Sequence, residues 1–315
     1  MCKCFIVREN NKKPNRGNRT TLTYMASVAT HFSAFLFLFP IGLHRLLSSS
    51  SLYLHNPSHF RSKLWYLSDP KWKNIDLFAL IITLPIASFS EFFLFLSLSG
   101  HPSYKFSFFH QSFTLLAFWV LIILIIAYEY VATSSFLNES FVFVIGGVVF
   151  LVEYYVMGEG VSGLAGVVYG LFGGLTLVCA ASCFYLSVKP NAFFAEFSLS
   201  CGLVFKGTWL LQVGFSLYTD AFGLRGCQKI SSFLDPHQES VDVKCDLDED
   251  RLRGVALMNL LFTVHAIVVM VLAFGLFGVL ASIRNLRGGE ARGPLLSELE
   301  STSNRLRALP EIEIE

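Results

Sequence analysis

The sequence predicts an all-α membrane protein built as a seven-transmembrane helix bundle. Composition is the first reason: 53% of residues are hydrophobic, only 15% are charged, and the mean hydropathy is +0.56. Soluble domains carry about a quarter charged residues. The 32 Phe among 315 residues point the same way, to lipid as the solvent. The second reason is segmentation. A crossing helix takes about 20 mainly apolar residues, and seven stretches qualify.

These stretches are Met25–Leu47, Ile75–Ser99, Phe106–Tyr130, Leu137–Met157, Val161–Val188, Phe193–Tyr218 and Val255–Ile283. The first is preceded by a polar leader, residues 1–24, that lacks hydrophobic periodicity; translation from Met25 is expected. Pro40 and Pro85 are expected to kink the first two helices, because proline removes a backbone donor. The breaks are a Ser-rich basic stretch from Ser48 to Asn74, then Gly100-His101-Pro102, Thr133-Ser134-Ser135, Gly158-Glu159-Gly160 and Lys189-Pro190-Asn191. In the fourth and fifth helices Gly146, Gly147, Gly163, Gly166, Gly170, Gly173 and Gly174 recur at three- and four-residue steps, which predicts close packing faces. One long loop spans 219–254, and the charged tail 285–315 is expected to be disordered.

A net charge of +1 with no basic stripe excludes a nucleic-acid partner. The partners implied are the bilayer and proteins recruited by the tail. Orientation follows from loop charge. Over seven crossings Lys and Arg divide 12 against 11, and 6 against 11 once the leader is set aside. The N-terminus is therefore expected outside and the tail in the cytosol. Cys227 and Cys245 are the two cysteines of the long loop. They either pair as a disulfide, which an oxidising exterior or lumen would permit, or remain two loop thiols. Asn138-Glu139-Ser140 matches a glycosylation acceptor but falls on the cytosolic side, so it is read as chance. Pro294-Leu295-Leu296 is only a weak approximation to a dileucine sorting signal.

Ionisable groups in a bilayer are costly, so each is a functional candidate. The candidates are His31, Glu91, His110, Glu153, Lys206 and His265, with Trp209 and Gln212 beside Lys206. At about 1.5 Å per residue all of them fall in the non-cytosolic half. Lys206 needs an acid partner, either Glu91 or Glu153. Lys206, Trp209 and Gln212 share a helix face, which implies a polar cavity open to the non-cytosolic side; the plainer alternative is a set of hydrogen bonds that orient the bundle. His31, His110 and His265 with one Glu would suit Zn²⁺ by donor type, but no pair has a ligand spacing such as His-Glu-x-x-His. No catalytic motif, metal or cofactor is predicted.

Several motifs resemble the plant branch of the transmembrane protein 45 family, membrane proteins of unknown function. Met25-Ala26-Ser27 through His31 to Ile41-Gly42-Leu43-His44 resembles the family's opening. Phe109-His110-Gln111 resembles the start of its third helix. Lys206-Gly207-Thr208-Trp209, Gln212-Val213-Gly214-Phe215 and Leu217-Tyr218 resemble a Gln-Gly-(Ser/Thr)-Trp…Gln-(Ile/Val)-Gly-Phe…Leu-Tyr pattern, and His265 resembles a Trp-His pair in the seventh helix. The likeness runs from Met25 to about Ile283. The chain departs from the family in having no His between Phe150 and Gly170, and Lys206 where Gln is usual. The resemblance implies an endomembrane or plasma-membrane protein linked to pathogen or virus responses. Three roles stay open: a non-enzymatic trafficking protein or scaffold, a transporter or small-ligand receptor using the cavity, and an intramembrane hydrolase on the three His.

Overall fold

A computed structural model describes residues 16–66, 75–97, 102–130, 138–157, 163–218, 227–229, 243–245 and 247–307. Among these residues lie seven α-helices: α1 Arg16–His55, α2 Ile75–Ser97, α3 Pro102–Tyr130, α4 Glu139–Val156, α5 Gly163–Val188, α6 Phe193–Tyr218 and α7 Asp248–Arg307. A two-stranded ladder, β1 Cys227–Lys229 and β2 Val243–Cys245, lies between α6 and α7. Five helices carry segments long and apolar enough to cross a membrane: His31–His55, Phe109–Glu129, Glu139–Val156, Gly166–Val188 and Asp248–Leu286. In α2 the apolar stretch covers Leu77–Ser90. Glu196, Lys206 and Gln212 dilute α6, which is not among the five.

Side-chain registers show that sequence neighbours run antiparallel. Ser88 meets Ser112 and Ile81 meets Trp119 between α2 and α3. Phe118 meets Phe150 between α3 and α4. Between α4 and α5, Gly147 lies against Phe184 and Gly173 against Tyr154. Thr176 meets Lys206 and Cys179 meets Gly202 between α5 and α6. Thr208 meets His265 and Phe197 meets Phe274 between α6 and α7. The bundle thus has two ends. One holds His55, the loop 56–66, Lys189 and Arg284; the other holds the start of α5, the end of α6 and the ladder.

The tightest crossing is α1 on α6. A Cβ on Gly42 would stand 2.6 Å from the Val204 backbone nitrogen, and one on Gly207 2.7 Å from that of Phe39. Gly214 faces His31 in the same seam. Small residues let two backbones approach where no hydrophobic force drives helices together. The predicted glycine faces of α4 and α5 behave less uniformly. Gly147 is pressed against Phe184 and Gly173 against Tyr154, whereas Gly170 and Gly174 face open space. The glycine step alone does not say which turns of the stripe meet a partner.

Several boundaries differ from the sequence expectation, among them the start of α3 at Pro102 rather than Phe106. The first helix begins at Arg16, inside the proposed leader, and runs on through Ser48–His55. Its last turns continue because Tyr53 stacks on Phe193 at 4.0 Å and Ser49 and Ser50 are buried against the bundle. The fourth helix starts at Glu139, with Asn138 Oδ1 accepting from the Ser140 N–H at 3.3 Å; the apparent glycosylation acceptor is a helix cap. Finally, α7 starts at Asp248 and reaches Arg307, so the tail expected to be disordered is helical over most of its length. Asp248, Glu249 and Asp250 favour the helix N-terminus, and the run Leu295-Leu296-Ser297-Glu298-Leu299-Glu300 is rich in strong helix formers.

The crossing makes a contrast testable. Gly207→Leu is expected to destabilise the detergent-solubilised protein by at least about 1–3 kcal/mol, the usual cost of overpacking. Gly170→Ala should leave the melting temperature within a degree or two of wild type. Parallel thermal melts followed by light scattering would check both.

Candidate functional site

Lys206 lies about 18–20 Å from either end of α6 at 1.5 Å per residue, and its side chain is 1% exposed. Nζ donates to Glu153 Oε2 at 2.5 Å and to Thr176 Oγ1 at 3.0 Å. The Thr176 hydroxyl donates onward to the Phe172 carbonyl at 3.1 Å. Phe150 and Phe172 flank the ammonium, with ring centroids at 5.0 and 4.8 Å. A cation in this position is stabilised by the acid and by the negative faces of both rings. Of the two acids weighed as its partner, Glu153 makes the contact. Glu91 stands on α2, and its side chain lies outside the described residues.

The remaining candidates fall into separate ties. His265 Nε2 lies 2.8 Å from Thr208 Oγ1, and the hydroxyl donates to the Val204 and Phe205 carbonyls. The imidazole therefore donates through Nε2, and its ring stacks on Phe205 at 5.2 Å. Trp209 is fully buried between Phe205, Phe262 and His265. Gln212 donates to Ser216 on its own helix at 3.3 Å, and His31 Nε2 lies 3.5 Å from the Tyr169 hydroxyl. His110 sits on α3, and its carbonyl accepts from Thr114. Among the described residues no three His, Cys, Asp or Glu side chains converge as a metal site would require.

The shared face expected for Lys206, Trp209 and Gln212 does not hold. Each three-residue step falls about 60° short of a full turn, so Lys206 points to α4 and α5 while Trp209 packs on α7. The groove between α5, α6 and α7, about 490 Å³, is lined by apolar groups including Val167, Gly170, Leu171, Gly174, Phe205 and Phe262.

A second buried ion pair was not anticipated. Arg45 Nε and Nη2 lie 2.7 and 2.8 Å from the two oxygens of Glu196, which is fully buried. Arg45 also donates to the Leu64 and Lys63 carbonyls at 2.9 and 3.1 Å, and Ser62 Oγ donates to Glu196. The Tyr66 ring lies 5.4 Å from the guanidinium, and burial pushes its phenol well above the usual range. This pair stands at the opposite end from His31, so buried charge occupies both halves of the bundle. Its signal was present in the sequence as an arginine one residue past His44 and an acid in the first turn of α6.

Residues 139–278, from the start of α4 to well inside α7, match a family described as of unknown function, DUF716. That family takes in the transmembrane protein 45 proteins the sequence resembles. The matched part contains Glu153, Lys206, Trp209, Gln212 and His265; His31, Glu91 and His110 lie outside it. No curated protein matches the chain.

If Lys206 and Glu153 neutralise each other, removing one should cost more than removing both. Lys206→Met alone, which strands a buried carboxylate, is expected to destabilise by about 3–5 kcal/mol. Lys206→Met with Glu153→Gln should recover most of that loss. Denaturant titration in mixed micelles gives the three values.

Proposed function

We propose that this protein is a multi-pass membrane scaffold or trafficking component with no chemistry of its own. In this reading the chain crosses seven times, with the N-terminus outside and the C-terminus in the cytosol of an endomembrane or plasma-membrane protein. One observation carries it: the intramembrane ionisable groups with described partners are engaged by neighbouring side chains of the bundle. Lys206 is sealed between two phenylalanines with Glu153, and His265 is held by Thr208. A transporter or ligand receptor would need such groups along a water-filled path, and an intramembrane hydrolase would need His31, His110 and His265 in one place. The recruiting element is then the part of α7 beyond its apolar stretch, from about residue 288 to Arg307, which extends past the bundle. The family resemblance adds a stress or pathogen response as the setting for that recruitment.

Deleting residues 288–315 keeps the Arg284 bond to the His55 carbonyl and is expected to leave folding intact. It should also change the steady-state compartment of a tagged protein and remove its co-purifying partners by at least fivefold. Unchanged location and an unchanged partner set would sink the reading.

A further inference from the structure

We propose that Cys227 and Cys245 form a disulfide that closes the α6–α7 connection, and that this end of the bundle faces an oxidising compartment. The inference does not depend on the scaffold reading. It rests first on register. β1 and β2 are antiparallel, with Cys227 directly opposite Cys245, Gln228 opposite Lys244 and Lys229 opposite Val243. Directly opposed residues in an antiparallel ladder have Cα atoms roughly 4.5–5.5 Å apart, inside the roughly 4.4–6.8 Å window a disulfide needs. The two cysteines are the first residue of β1 and the last of β2. A bond there would close the chain between the two strands into one ring, just ahead of α7 at Asp248. By contrast Cys179, Cys183 and Cys201 are buried free thiols on α5 and α6.

The second, independent observation is charge. At the end away from the ladder, Arg61, Lys63 and Lys189 are exposed and Arg284 is bonded to the His55 carbonyl. Of the acids there, Glu139 and Glu196 are buried and paired with Arg61 and Arg45, and Glu129 is half-buried at the end of α3. At the ladder end stand Lys105, Lys229, Lys244, Arg251 and Arg253, together with Arg16 and Arg19 of the leader. With Arg16 and Arg19 of the leader set aside, Lys and Arg are more numerous at the far end, the mark of a cytosolic face, so the ladder belongs on the opposite side, where disulfides form and persist.

The chemistry balances as thiol–disulfide exchange with a disulfide-bearing oxidoreductase of that compartment. One cysteine thiolate attacks the donor's disulfide to give a mixed disulfide and release one donor thiol. The second cysteine thiolate then attacks the sulfur of the first and displaces the other. The two protein thiols lose two electrons and two protons, and the donor ends as a dithiol.

The test uses the full chain, acid-quenched from isolated membranes, denatured, and treated with a polyethylene-glycol maleimide with or without prior reduction. Reduction is expected to add two tags, on Cys227 and Cys245 by peptide mass spectrometry. In Cys227→Ser or Cys245→Ser it should add none, because the remaining partner is already tagged. Tagging of both cysteines without reduction would overturn the disulfide. In sealed vesicles that expose their cytosolic face, staining of a C-terminal epitope tag without permeabilisation supports the sidedness, and protection until permeabilisation would overturn it.

Discussion

Glu196 and Lys206 sit on one helix, ten positions apart, and neither has water to solvate it. Each meets an opposite charge from a different neighbour: Arg45 of α1 for the glutamate, Glu153 of α4 for the lysine. An isolated charge in a dry interior costs several kcal/mol even after relaxation. This requirement places α6 among α1, α4, α5 and α7, with Trp209, Ser200 and Glu196 at essentially zero exposure. The Gly42–Gly207 crossing serves the same end, since it brings α1 close enough for Arg45 to reach Glu196.

The outer helices follow from that arrangement. α7 can be apolar almost all the way round because it has no charge to hide in its middle, and Leu260, Ile267, Val271 and Leu272 are exposed where lipid would be. α2 and α3 form a hairpin of their own, tied by the reciprocal Ser88–Ser112 bonds and by the Trp119 indole donating to the Ile81 carbonyl. Such bonds orient helices with little cost in hydrophobicity, which is why the apolar segments remain visible in the sequence.

The helices themselves were legible because a bilayer demands long apolar runs, and each run has a polar break. Their ends were less so. Ser48–His55 looks like a linker by composition, yet the Tyr53–Phe193 stack and the Arg45 clamp keep it helical. The tail looks disordered by charge, yet its Leu, Glu and Arg content carries a helix to Arg307. Within the site, the cost of burying Lys206 pointed to an acid partner, but sequence could not choose between Glu91 and Glu153, because helix adjacency is a tertiary fact. The Arg45–Glu196 pair is hidden for a related reason: Arg45 falls at the end of the apolar stretch Met25–Leu47 and Glu196 in the first turn of α6, where a charge ordinarily reaches the interface at little cost. The pairing is seen only once the loop 56–66 folds back over them.

Charge neutralisation inside the bundle holds α6 in place. Exchanging the charges across one pair tests it most directly. Glu153→Lys, which sets two cations together, and Lys206→Glu, which sets two acids together, should each lower the melting temperature of the purified protein sharply or abolish its monodisperse recovery. The double exchange should restore most of what either lost. Single exchanges that melt like wild type, or a double exchange no better than the worse single, would contradict the account.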